Sequence, residues 1–111
     1  YTQRTHLAGG LTLASRAKAS VTEFFPSQGH FPAAGDGNAS AGLATSTAIK
    51  GNAVTSVAVS NDGKGQITVT YNDKVSNNAT LIMSPTTSAG GITWSCKGGD
   101  VISKYRPSNC R

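Results

Sequence analysis

The chain is poor in the residues that chemistry uses. It has two cysteines, two histidines and five acidic residues in 111 positions. Glu23, Asp36, Asp62, Asp73 and Asp100 are scattered, so no paired carboxylates are set up for general acid and base work. No Gly-x-Ser-x-Gly elbow and no phosphate-cradling glycine loop occurs. Neither catalysis nor a cofactor is expected. Two cysteines without closely spaced histidines supply half a structural zinc site at most. Asp62-x-Lys64 and Asn72-Asp73 are spaced as turns, whereas a calcium loop needs several converging oxygens. No metal is expected. No stretch approaches the roughly 20 apolar residues of a membrane span, and no signal peptide is visible.

Charged residues make up only 14% of the chain, and Gly, Ala, Ser, Thr and Asn take up the difference. The length allows one domain, and this composition suits an exported, loop-rich protein. The balance is basic, at +5. It is also uneven: from Cys96 onward Lys97, Lys104, Arg106 and Arg111 face Asp100 alone. Asn38-Ala39-Ser40 and Asn78-Ala79-Thr80 match the N-glycosylation sequon, as chance allows in a chain so rich in these residues.

The two cysteines, Cys96 and Cys110, invite a disulfide. Closing a loop of that length contributes roughly 3 kcal/mol in the chain-entropy model, a large share for a small domain. Two buried free thiols are the alternative, although Gly98, Gly99, Pro107 and Asn109 mark the intervening segment as exposed. A disulfide places maturation outside the cytoplasm. With no export signal and no Met at its start, the chain is then expected to have been processed or trimmed at its N-terminus.

Residues 1–25 read as one amphipathic helix. Leu7, Leu11, Ala14, Ala17 or Lys18, Val21 and Phe24/Phe25 recur at three- and four-residue intervals, and Pro26 is expected to end it. Gly9-Gly10 is a weak point, at about 1 kcal/mol per glycine relative to Ala. At about 1.5 Å per residue the helix is long for the domain, and its start is expected to protrude. Residues 26–51 hold Pro26, Pro32 and small residues without a clean period; a helical turn fits between Ala41 and Ala48.

The period then becomes two. Val57 and Val59, then Ile67, Val69 and Tyr71, then Leu81 and Met83, then Ile92, Trp94 and Cys96 mark four strands within 52–97. Asn61-Asp62-Gly63-Lys64-Gly65, Asn72-Asp73, Asn77-Asn78 and Ala89-Gly90-Gly91 are turn chemistry, and connections this short join antiparallel neighbours. The expected fold is α+β: the helix packed on a four-stranded antiparallel meander, with a C-terminal loop bounded by the cysteines. Leu7, Leu11, Val21, Val69, Ile92 and Trp94 are the expected core.

Both ends of the chain also resemble a known family. Tyr1-Thr2-x-Arg4-Thr5-x-Leu7, continuing as Leu11-Thr12-Leu13-Ala14-Ser15, resembles the exposed half of the long N-terminal helix of bacterial type IVa pilins. Leu81-Ile82-Met83-Ser84-Pro85-Thr86-Thr87, Gly90-Gly91-Ile92-Thr93-Trp94-Ser95-Cys96-Lys97-Gly98 and Lys104-Tyr105-x-Pro107-x-Asn109-Cys110 resemble the family's last strands and disulfide-bounded loop. The resemblance implies an upstream apolar helix segment and a leader removed before N-terminal methylation, with this chain a soluble domain lacking both.

It further implies subunits that pass through the inner membrane and its assembly machinery into a helical, extracellular fibre of like subunits. Adhesion, twitching motility and DNA uptake during natural transformation are functions of such fibres, with host receptors and phage as further partners. Cys96 and Cys110 would bound the loop, and Lys97, Lys104, Tyr105, Arg106 and Arg111 are the candidate contacts for DNA or a partner. The alternatives are a specialised DNA-binding competence pilin using this basic loop and a secretion-system pseudopilin. Scarce acids and the disulfide loop speak against the latter. The chain ends in Arg111, which argues against a glycosylated C-terminal serine.

Overall fold

A computed structural model describes residues 2–111, and Tyr1 lies outside the described residues. Helix α1 spans Thr2–Gln28, and a short helix α2 spans Gly37–Ser40. The strands are β1 (Val54–Val59), β2 (Ile67–Tyr71), β3 (Thr80–Ser88) and β4 (Gly91–Gly98). Turns of 3-10 helix lie at Ser46–Ala48, Ser103–Tyr105 and Ser108–Cys110. The sheet order is β1-β2-β3-β4 with every pair antiparallel, the meander expected from the short turn-rich connections. Two separators act as predicted: the Asp62 carboxylate accepts from the Lys64 N–H at 3.0 Å and the Asn72 side chain accepts from the Lys74 N–H at 2.9 Å.

The core lies between α1 and one face of the sheet. Leu7, Ala14, Ala17 and Val21 from the helix meet Val57, Ile67, Val69, Tyr71, Leu81 and Met83 from the strands. Of the expected core, Leu7, Val21 and Val69 are buried, while Leu11, Ile92 and Trp94 are half-buried at its edge. Alternate residues of β1, β2 and the first half of β3 are buried, as a sheet covered on one face requires.

Three expectations about α1 are corrected. The helix does not stop at Pro26 but continues to Gln28, with Pro26 inside it. A proline this near the end removes one backbone bond and leaves little helix beyond it to kink. The last turn is held by Phe25 packed at a tilt against Phe31, ring centres 4.8 Å apart, and by Phe24 edge-on to His30 at 5.9 Å. Gly29, at φ 78°, then donates its N–H to the Phe25 carbonyl at 2.7 Å and closes the helix.

The start of α1 does not protrude either. Leu7 is buried, Tyr71 Oη donates to the Leu7 carbonyl at 2.8 Å, and Arg4 Nε donates to the Lys104 carbonyl at 2.6 Å. Nor is Gly10 a weak point. It takes the core position adjoining Leu7 and Ala14 that periodicity gave to Leu11. A Cβ there would sit 2.5 Å from the Tyr71 ring, so the missing side chain is what lets the helix close on the sheet. Gly9 faces open space.

The connection over 26–51 carries the 3-10 turn at Ser46–Ala48 within the stretch expected to be helical, and also α2, which was not foreseen. The Asp36 side chain caps α2 by accepting from the Asn38 N–H at 3.0 Å. Asn38, buried, then staples the connection to β1. Its Nδ2 donates to the Ala44 and Val57 carbonyls, both at 3.0 Å, and its Oδ1 accepts from the Val59 N–H at 2.7 Å.

Candidate interaction surface

Cys96 and Cys110 form a disulfide, their Cα atoms 4.8 Å apart. It joins the end of β4 to the final 3-10 turn and closes the loop over residues 97–109. The loop is tied to the start of β3 by a second set of bonds. The Thr80 carbonyl accepts from the Asp100 and Val101 N–H groups at 2.9 and 3.1 Å. The Asp100 carboxylate in turn accepts from the Thr80 N–H at 2.6 Å and its hydroxyl at 3.2 Å. That backbone N–H holds the Asp100 carboxyl below the usual carboxylate range. The turn needs glycine at position 99, where φ is 89° and a Cβ would lie 2.3 Å from the Thr80 carbonyl oxygen.

At the centre of the loop is Arg106, only 4% exposed. Its Nε donates to the Val101 carbonyl at 2.8 Å and its Nη2 to the Gly99 carbonyl at 3.0 Å. Its Nη1 reaches the carbonyls of both disulfide residues, Cys96 at 3.2 Å and Cys110 at 3.4 Å. A fork of five donors suits such a ring of acceptors, and a cation is buried here without a carboxylate in hydrogen-bond contact. Arg106, one of the expected contacts for DNA or a partner, thus uses its guanidinium within the loop. No sequence signal marks this, because a cation beside Tyr105 and Pro107 reads as an exposed one.

The other candidate residues divide between two places. Lys97 and Arg111 border a hollow with Gly99, Asp100 and Ile102, and Arg111 Nε donates to the carbonyls of Ser103 at 3.2 Å and Arg106 at 3.1 Å. Lys104 and Tyr105 instead line a notch with Gln3 and Arg4, the Lys104 ammonium 5.5 Å from the centre of the Tyr105 ring. Arg4 is the functional candidate missed in the sequence. It lies 100 positions from Lys104, and only the fold brings its guanidinium onto the Lys104 carbonyl. Among the described residues, no group of three or more His, Cys, Asp or Glu is placed to hold a metal ion.

One face of the helix carries no charge. Along α1, Ala8, Thr12, Ser15 and Ala19 form an exposed stripe at helical spacing, turned away from the core. Both hydroxyls are folded back: Thr12 Oγ1 donates to the Ala8 carbonyl at 3.2 Å and Ser15 Oγ to the Thr12 carbonyl at 2.6 Å. The stripe is thus smooth and uncharged. No helix among the described residues is long and apolar enough to cross a membrane.

Comparison with known proteins places this architecture. The model of the Pilin family, a bacterial filament family, matches residues 3–111. The chain is 34% identical over 116 aligned positions to the fimbrial protein EcpC of Eikenella corrodens, with all of this chain and 72% of that protein covered. It is 29% identical over 134 positions to the type IV major pilin protein PilE of Neisseria gonorrhoeae, with 100% and 77% covered. The crystal structure of a type IV pilin of Pseudomonas aeruginosa strain Pa110594 superposes with a TM-score of 0.74, covering 100% of this chain and 99% of that one at 22% identity, and shows the shared fold.

Proposed function

The chain belongs to the pilin family and is a type IV pilin, a structural subunit of an extracellular fibre, and from that premise we propose that its fibre serves adhesion, twitching motility and DNA uptake. The subunit is held in the inner membrane before the assembly machinery adds it to a helical homopolymer. Repetition along the fibre then turns a weak contact of each subunit into avidity for a host surface.

The observation that carries this reading is the smooth stripe Ala8, Thr12, Ser15 and Ala19 on α1. Small, uncharged side chains let a neighbouring helix approach closely, which the packing of helices inside a fibre demands. The test joins an apolar helical segment of the family ahead of Tyr1 and expresses the product in a bacterium without its own pilin. Filaments are expected by electron microscopy, and Thr12→Arg is expected to remove them while the soluble domain melts unchanged. Filaments as abundant with Thr12→Arg as without it would refute the role given to the stripe.

DNA capture by the basic loop is favoured by one further observation: Arg4 adds a cation to the notch of Lys104 and Tyr105. Phosphates would meet Arg4 and Lys104, with Lys97 and Arg111 beside the disulfide as further contacts and Tyr105 as a stacking surface. A mobility assay at several salt concentrations compares the domain with its Arg4→Ala/Lys104→Ala variant. Weaker retardation of the variant is expected, and equal retardation removes the notch from the DNA contact.

A further inference from the structure

Away from the loop, α1 and the connecting segment leave a hollow of about 230 Å³ between them. Leu13 and Ala17 of α1 face Leu43 and Ile49 across it, all four packed on or within the core. Its rim carries Arg16 on the helix side and Lys50 on the other. No carboxylate lines it. Elsewhere Arg4, Arg106 and Arg111 each donate to backbone carbonyls, and the Lys104 ammonium lies by the Tyr105 ring. The side chains of Arg16 and Lys50, by contrast, have no hydrogen-bond or ion-pair partner among the described residues.

An apolar floor between two unpaired cations fits one kind of ligand, an amphipathic anion. We infer that this hollow binds a free medium-chain carboxylate, the aliphatic tail against Leu13, Leu43 and Ile49 and the head between Arg16 and Lys50. The volume equals that of about eight water molecules at ~30 Å³ each, which matches a tail of six to eight carbons rather than a full lipid chain. Arg16 supplies the planar fork that holds a carboxylate through two parallel bonds, and Lys50 supplies a point charge from the facing wall. The inference is independent of fibre assembly and of DNA capture.

The experiment titrates sodium octanoate, below its micelle concentration, into the isotopically labelled domain and follows amide resonances by NMR. Saturable shifts are expected at residues 13–17 and 43–50 and not in the disulfide loop. Affinity should rise about fourfold per methylene from hexanoate to octanoate. Arg16→Gln and Lys50→Gln should each weaken octanoate about two- to fivefold, as loss of an exposed ion pair does, at unchanged melting temperature. Ala48→Leu, which fills the hollow, should abolish the shifts. Octanol matching octanoate would overturn the inference by removing the role of the cations. Shifts scattered over the surface would overturn it too, as would shifts at the hollow that follow protein concentration without ligand, the sign of a second copy seated there.

Discussion

Replacing Arg106 tests how the disulfide-bounded loop is held. Three of its contacts to carbonyls are 3.2 Å or shorter. A hydrogen bond to a charged group contributes about 1.5–3 kcal/mol, so the three give ~4.5 kcal/mol at the low end. Two effects reduce that figure. Gly99 and Cys96 keep some exposure, so water can replace part of what their carbonyls lose. Removing a buried cation also relieves its desolvation. Arg106→Met, which keeps most of the stem, should therefore cost about 3 kcal/mol, or about 12–24 °C in melting temperature for a domain near this size. Arg106→Lys should recover less than half of it, because an ammonium cannot span acceptors on four different residues.

A reducing agent separates the guanidinium from the disulfide. The disulfide acts mainly by restricting the unfolded chain, at roughly 3 kcal/mol for a loop of this length, whereas Arg106 acts through bonds of the folded one. Taken singly the two losses sum to about 6 kcal/mol, comparable with the whole stability of a small domain, and the bonds of Arg106 to both cysteine carbonyls couple them. Reduced wild type and oxidised Arg106→Met should each stay folded at 25 °C, and reduced Arg106→Met should be largely unfolded by circular dichroism. If oxidised Arg106→Met melts within about 3 °C of wild type, or if Arg106→Lys equals wild type, the guanidinium does not hold the loop and the reasoning fails.

The two adjacent glycines of α1 should respond in opposite senses. Gly9→Ala, at an open position, should raise stability by up to about 1 kcal/mol, while Gly10→Ala should lower it despite the same propensity gain, because the new methyl meets the Tyr71 ring; thermal melts of the pair decide. Burial pushes the Tyr71 phenol well above its usual range, against a smaller opposing effect of the Arg106 charge. Its contribution is therefore complete below the unfolded value near 10 and is lost as pH rises beyond it. Urea midpoints of wild type should fall above that pH, and Tyr71→Phe should flatten the fall while losing about 1 kcal/mol at neutral pH with the bond to the Leu7 carbonyl. Asp100 works with the opposite sign: its carboxyl is held below its ordinary range, so its contribution is present above about pH 4 and is lost on acidification. Asp100→Asn should flatten the acid limb of the same profile.

What could be read in the sequence, and what could not, follows from how each residue meets the core. The sheet was legible because a face covered by one helix forces alternation, and the strands from Val57 to Met83 keep it without interruption. The cysteine pair was legible from spacing and context. Gly10 and Arg106 were not, because each occupies a place that its residue type argues against. A glycine in a helix reads as a flaw until Tyr71, 61 positions away, is seen to need the space. An arginine in a basic tail reads as a surface cation until the carbonyls of Cys96, Gly99, Val101 and Cys110 converge on it.

The same distinction explains why the candidate surface shifted. Linear spacing grouped Lys97, Lys104, Arg106 and Arg111 as one basic patch, whereas a disulfide-closed loop must satisfy its own backbone first, and arginines are the side chains able to do it. Arg106 is buried by that task, and Arg111 is held on two carbonyls. The lysines, compact and strongly hydrated point charges without the planar fork of arginine, remain exposed. Arg4 joins them only because α1 packs its first turn against the 3-10 turn at Ser103–Tyr105. The loop's inner arginine holds its backbone, and the cations of Arg4 and Lys104 meet at the seam between helix and loop, built from the two ends of the chain.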